Sequence, residues 1–154
     1  MVALGYNYRL SDIGCALGLA QLKRLEANLA RRQAIAERYT AVLRNLPRIR
    51  PPAVRPGVSP AWHLYPIRLD LAAIPMGRSG VFRALREAQI GVAVHHIPVY
   101  RHPYYRQRFG DQGGACPVAE GAYEELLTLP IFHAMTDEDV AEVLGAVEDV
   151  MSRV

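Results

Sequence analysis

Residues 11–46 read SDIGCALGLAQLKRLEANLARRQAIAERYTAVLRNL, and the period of this stretch decides the fold class. Leu22, Leu25, Leu29, Ala36, Tyr39, Leu43 and Leu46 recur at steps of three, four or seven, which draws one apolar stripe along a helix. Ser11 is placed to cap its start and Pro47 to stop it. Unbroken, such a helix would run roughly 54 Å at about 1.5 Å per residue. That exceeds what one small domain needs, so a kink, or a helix that leaves the domain, is expected. Its first part is rich in small residues, Gly14, Ala16, Gly18 and Ala20. These let another backbone approach closely, from the same chain or from another.

Outward from this helix, residues 47–60 hold Pro47, Pro51, Pro52, Pro56 and Pro60 and read as a linker without regular structure. Trp62 to Asp70 reads as a strand, with Pro66 placing it at an edge or bulge. Ser79 is expected to cap a helix carrying Val81, Phe82, Leu85 and Ala88 and closed by Gly91. Val92 to Val94 reads as a short strand. Tyr104, Tyr105 and Phe109 form an aromatic cluster ahead of a glycine-rich loop, residues 110–114. Pro117 suits the first turn of a further helix with Ala119, Ala122, Tyr123 and Leu126 facing inward. Leu127 to Phe132 is a short extended segment. Thr136 and Asp139 form a capping box for a last helix, whose inward face is Val140, Val143, Leu144, Val147 and Val150. Helices and short strands in alternation give an α+β layer, helices covering a small sheet. The organisation expected is a motif segment with a long connecting helix (1–46), a proline-rich linker (47–60) and a small α+β domain (61–154).

Composition agrees with a globular chain. Of 154 residues, 51% are hydrophobic and 21% charged, enough to bury a core without disulfides or metals. No apolar run has membrane-spanning length, and the start lacks the basic-then-apolar order of a signal peptide. Cys15 and Cys116 are too few for a disulfide framework and read as reduced, largely buried thiols in a cytoplasmic protein. The net charge of +3 comes mostly from arginine, because Lys23 is the sole lysine among the 18 basic residues. The arginines are dispersed, which argues for solvated surface and against nucleic acid. Arginine binds phosphate and carboxylate well but cannot form a Schiff base.

The candidate chemistry is sparse. Adjacent His95 and His96, read as strand residues, point to opposite faces and lack acidic or thiol neighbours, so no metal site is expected. One of them facing a pocket would bond a substrate or carry a proton; a packed structural histidine fits the pattern nearly as well. Asn7 and Arg9, two residues apart at a helix entrance, suit a phosphate or carboxylate, with local capping and a surface arginine as the plainer account. The glycine-rich loop at 110–114 lacks the ending of a phosphate loop.

Four stretches add a resemblance. They are Gly5-Tyr6-Asn7-Tyr8-Arg9-Leu10-Ser11-Asp12-Ile13 with Ala16 to Leu25; Trp62-His63-Leu64-Tyr65; Gly91 through His95-His96-Ile97-Pro98-Val99-Tyr100 to Pro103-Tyr104-Tyr105-Arg106; and Leu127-Thr128-Leu129-Pro130. In this order they resemble the pyridoxal-phosphate-dependent nucleotide-sugar aminotransferases of the DegT/DnrJ/EryC/StrS type, over essentially the whole chain. The wording from His95 to Tyr105 is most similar to the branch that aminates a keto nucleotide sugar on the way to pseudaminic acid.

The resemblance implies a C-terminal portion of a fold-type I enzyme, ending in its small domain. It implies a homodimeric parent with pyridoxal phosphate, which transfers an amino group from glutamate to a keto nucleotide sugar for cell-surface polysaccharide. The family's Schiff-base lysine falls upstream of Met1. Lys23 matches an ordinary surface position, so the chain by itself is expected to be inactive and without cofactor, whether cut, truncated or begun at an internal methionine. Asn7 matches a residue that reaches across the dimer to the cofactor phosphate, and Arg9 is the next candidate there. His95 matches a histidine at the substrate mouth, while Tyr100 and Tyr105 are candidates to line the sugar site. His96 stands where the family often has tyrosine, which removes any contact that needs a hydroxyl there. Two alternatives remain: a related sugar dehydratase, and a non-catalytic module that associates through the Ser11–Leu46 helix.

Overall fold

The computed structural model describes residues 5–6 and 8–154. Helix α1 spans Asp12–Leu22 and starts as expected, with the Ser11 hydroxyl accepting from the Gly14 amide at 3.2 Å. The long helix does not continue. Arg24 N donates back three residues to Gln21 O, tightening the last turn, and Arg24 leaves helical geometry at φ −107°, ψ 0°. Helix α2 then runs from Leu25 to Leu43. The two halves differ in what covers them. Nothing in α1 is buried, whereas α2 buries Ile35, Ala36, Tyr39 and Leu43. The apolar stripe is therefore core only in its second half; Leu22 and Leu25 lie exposed.

Three antiparallel strands form the sheet, in the order β1 (Ile49–Arg50), β2 (Tyr65–Leu69), β3 (Leu126–Leu129). The first lies inside the stretch expected to have no regular structure. Ile49 is buried and pairs with Leu69, while Asp70 N donates to Arg48 O; Pro51 ends the pairing at once. Strand β2 begins three residues later than expected, because Trp62 adopts a positive φ of 46° and turns the chain. Although β2 is central, its partner β1 reaches only Arg68 and Leu69, so Pro66 has a strand on one side alone. That local edge is what a residue without an N–H requires.

On β2, Tyr65, Ile67 and Leu69 are buried and Arg68 is exposed, the alternation of a strand with one covered face. Tyr65 and Ile67 stand opposite Leu129 and Leu127. On β3, Leu127, Thr128 and Leu129 are all buried, because the far edge of this strand is also covered. That cover is a single bridge from Ala93 to Thr128 where a strand Val92–Val94 was expected.

Helix α3 (Gly77–Glu87) starts two residues before Ser79, with Met76 at the cap and no side-chain capping bond. The left-handed residue that closes it is Gln89, at φ 63°, in place of Gly91. A 3₁₀ turn at Val99–Arg101 leads into α4 (Pro103–Phe109), a helix that the aromatic cluster did not announce. Helix α5 (Pro117–Glu125) opens on its proline; Ala119 is exposed, and Ala122, Tyr123 and Leu126 are half-buried. Helix α6 (Asp137–Ser152) carries the expected capping box, Thr136 and Asp139 each accepting from the other's amide at 3.1 and 2.7 Å. Its face Val140, Val143, Leu144, Val147 and Val150 is buried.

Helix α6 packs on α2 and α3, and α3 packs on β3. Polar ties fix α2 to the connection after β3. Tyr39 donates to Pro130 O at 2.9 Å, and Arg31 donates to Met135 O and to Asp137. Arg32 donates to the carbonyls of Trp62 and Ile131. Burial pushes the Tyr39 phenol well above its ordinary pKa, so it stays a donor. Among the described residues no buried side-chain N or O lacks a hydrogen-bond partner. Both cysteines are exposed, contrary to the expected burial: Cys15 lies on α1, which nothing covers, and Cys116 sits just before α5.

Candidate active site

The segment from Ala93 to Phe109 carries three of the five expected site residues, and its first anchor is the bridge on β3. There Ala93 N donates to Thr128 O (3.1 Å) and Thr128 N to Ala93 O (2.8 Å). One step on, His95 Nδ1 lies 3.1 Å from Thr128 Oγ1. Thr128 is buried, so this contact satisfies its hydroxyl. It leaves Nε2 as the ring's remaining polar atom, and a hydroxyl partner suits either tautomer. The chain leaves the sheet after Ala93, and strand alternation no longer governs the two histidines. Their rings meet edge to face at 4.6 Å, not on opposite faces as expected. Among the described residues no cluster of three or more His, Cys, Asp or Glu is placed to hold a metal.

Tyr100 does not present its hydroxyl to an open groove. It donates to Glu120 Oε1 on α5 at 2.8 Å. Partial desolvation, then the hydrogen bond to Glu120 and the charge of that carboxylate, push the phenol up to about 12. The same carboxylate accepts from Gly114 N (2.9 Å) and, through Oε2, from Arg101 (2.9 Å). These donors, Tyr100 first and Arg101 next, hold the Glu120 carboxyl below the usual range. Arg101 also donates to Glu124 at 2.9 Å, and its guanidinium lies 5.8 Å from the Tyr123 ring centroid. Arg78 sits at 4.8 Å from the same centroid and donates to Tyr123 O.

Tyr105, on α4, is exposed between Tyr104 (rings at 5.3 Å) and Phe109 (6.3 Å). Among the described residues no hydrogen bond or ring contact joins His95, Tyr100 and Tyr105 to one another; they share one segment. Glu120, Arg101 and Thr128, which bond to this segment or within it, were not singled out as candidates from the sequence. Glu120 and Glu124, four apart on a helix, share a face, and Tyr100-Arg101 offers them matching donors. That pairing was the available signal.

Arg9 lies ahead of α1 and is exposed, and Asn7 lies outside the described residues. Lys23 is exposed at the C-cap of α1. A pyridoxal cofactor needs a lysine amine inside a cavity with phosphate donors beside it. The described residues of this chain do not fit that demand: the amine stands in solvent at one end of α1 and the candidate phosphate donor at the other. A shallow groove of about 450 Å³ between α2 and residues 52–54, lined by Gln33, Thr40, Arg44 and Trp62 among others, contains none of the expected site residues.

The comparisons with known proteins bear on the whole chain. The model of the DegT/DnrJ/EryC1/StrS aminotransferase family matches residues 1–148. The spore coat polysaccharide biosynthesis protein SpsC of Bacillus subtilis is 40% identical over 148 residues, 96% of this chain and 38% of SpsC. PseC of Helicobacter pylori, an aminotransferase involved in the biosynthesis of pseudaminic acid, superposes with a TM-score of 0.86 at 26% identity, over 99% of this chain and 40% of PseC. Spr1654 of Streptococcus pneumoniae, solved in its PLP-form, gives 0.86 at 28%, over 99% of this chain and 38% of its own. The chain thus spans about two fifths of these relatives. With motif order, fold and family model in agreement along nearly its full length, the chain belongs to the DegT/DnrJ/EryC1/StrS aminotransferase family.

Proposed function

We propose that this chain is the substrate-facing, C-terminal portion of a pyridoxal-phosphate-dependent sugar aminotransferase. The whole protein transfers an amino group from glutamate to a keto nucleotide sugar in polysaccharide biosynthesis. In this reading Asn7 and Arg9 approach the cofactor phosphate across a homodimer in the cytoplasm. His95 and Tyr105 face the sugar, and residues 61–154 act as the small domain. Tyr100 contributes by holding this segment in place, since its hydroxyl is engaged by Glu120. The comparisons favour no single branch, because PseC at 26% and Spr1654 at 28% are equally near.

The observation that carries the proposal of inactivity is the position of Lys23, the sole lysine, exposed at the end of α1. An amine in bulk water has no wall to hold a ring and no donors for its phosphate. The test incubates the purified chain with pyridoxal phosphate, glutamate and a keto nucleotide sugar. The expected result is no amino sugar; turnover that disappears in Lys23→Ala overturns the reading.

The exposed apolar start supports the association. Tyr6, Tyr8, Leu10, Ile13, Leu17, Leu19 and Leu22 are all exposed, and α1 carries no charged residue after Asp12. A helix apolar on every side is normally covered. In the proposed whole protein that cover comes from the remainder of the enzyme and its second copy.

A further inference from the structure

Between Val92 and Leu127 the described chain buries no residue in the core. The segment nevertheless holds His95, the 3₁₀ turn, α4, the 110–116 loop and α5 in one arrangement. Core burial contributes little beyond half-buried Val94 and the packing of α5 on β2, so polar ties carry much of the order from the 3₁₀ turn to the 110–116 loop. At the sheet end these are the Ala93–Thr128 bridge and the His95–Thr128 contact. From the 3₁₀ turn and the 110–116 loop to α5, four hydrogen bonds between side chains or to a side chain are present. Tyr100, Arg101 and Gly114 donate to Glu120, and Arg101 donates to Glu124. Three of the four end on one carboxylate. The Glu120 side chain is only 15% exposed, against 54% for Glu124, so its bonds are the less screened by water. The other side-chain ties in the neighbourhood, Arg106 to Asp111, Gln112 to Phe109 O and Gly113 N to Asp111, stay within the segment and anchor it to nothing else.

We propose that Glu120 is a positioning residue: its carboxylate latches residues 95–114 onto α5 through Tyr100, Arg101 and Gly114, and so sets where His95 and Tyr105 stand. The meaning of that placement for a sugar rests on the function proposed above; the latch itself does not, and it is measurable with no ligand present. Glu120 accepts three bonds in two directions, so its loss frees the 3₁₀ turn and the glycine loop together. Glutamine keeps an acceptor for Tyr100 or Gly114 but turns an amide N–H₂ toward the Arg101 guanidinium, so it releases one arm. The charged and titratable groups facing the carboxylate are Tyr100, Arg101, Cys116, Glu124 and, behind Arg101, Tyr123 with Arg78.

The test is hydrogen–deuterium exchange on the full chain and its variants Glu120→Ala, Glu120→Gln, Glu120→Asp and Tyr100→Phe, with spectrophotometric tyrosine titration alongside. In Glu120→Ala, peptides covering 95–114 are expected to exchange at least tenfold faster while β3 and α6 keep their wild-type protection. Glu120→Gln should fall between, and Glu120→Asp should recover part of the protection. Of the tyrosines that ionise late in the wild type, the one assigned to Tyr100 should titrate earlier in Glu120→Gln and be missing in Tyr100→Phe, while buried Tyr39 stays late in every variant. A merely structural residue would loosen core and segment alike and leave that tyrosine in place. Should Glu120→Ala fail to fold, Glu120→Gln and Tyr100→Phe carry the decision. Protection of 95–114 unchanged in both, or lost in step with the core, overturns the proposal. Because no sugar enters the measurement, an error in the proposed reaction leaves this result standing.

Discussion

Tyr39 is fully buried on α2, and its hydroxyl supplies the donor for Pro130 O at the end of β3. Tyr39→Phe keeps the ring contact with Tyr65 at 5.2 Å and strands that carbonyl. The expected loss is about 0.5–1.5 kcal/mol, the net worth of a hydrogen bond to a half-buried acceptor, read from the denaturant midpoint of the chain. At Glu120 the same reasoning runs through pH. Its carboxyl is held below the ordinary 4.5, so its contribution is complete above that value and is lost as pH falls through its own lower one. The Tyr100 phenol moves the other way, from 10.0 up to about 12, so its contribution is complete below 10 and lost as pH rises toward 12. The segment at 95–114 is therefore expected to hold steady across the neutral range and to loosen at both extremes. An NMR titration of the Gly114 amide shift follows the acid limb and tyrosine absorbance follows the alkaline one. A Gly114 shift that moves between pH 6 and 8 would contradict this assignment.

Among the elements, α1 and α2 are continuous in sequence pattern yet opposite in what they touch. Leu17→Glu together with Leu22→Glu is expected to change stability by no more than about 0.5 kcal/mol, because neither side chain is buried. Leu43→Ala, at the buried end of α2, is expected to cost about 2–5 kcal/mol. Thermal and denaturant unfolding of the two variants separates them. Where an element has a long period and a cap, the sequence alone discloses it. The Thr136–Asp139 box and the four valines and one leucine on the inward face of α6 are of this kind, as is the proline at the start of α5. Where tertiary contact overrides local signal, it does not. The helix break at Arg24 has no proline or glycine to announce it. Gln89 takes the left-handed conformation that Gly91 was expected to take. The two residues of β1 pair only because Leu69 and Arg68 stand opposite. The segment around Tyr100 and Tyr105 was legible as aromatic and family-like. Its geometry was not, because it depends on a glutamate some twenty residues further on.

At the scale of the molecule, a sound core lies beside an apolar helix that this core does not cover. One core, built from α2, the sheet, α3, α6 and the loop residues Trp62, Ile74, Ile90, Val92, Ile131 and Met135, holds every buried hydrophobic residue described. In contrast, Ile13 is 84% exposed and Leu22 63%. The isolated chain is expected to self-associate as concentration rises, and Ile13→Asp with Leu17→Asp to shift it toward monomer in sedimentation velocity without altering its unfolding midpoint. The chain belongs to an aminotransferase family, and in the proposed division of labour the cofactor-anchoring amine is not Lys23. The most direct test mixes the chain with one equivalent of pyridoxal phosphate, reduces with borohydride and maps the modified peptide by mass spectrometry. The account predicts no stoichiometric pyridoxyl adduct at Lys23, whereas one adduct per chain at that residue would contradict it.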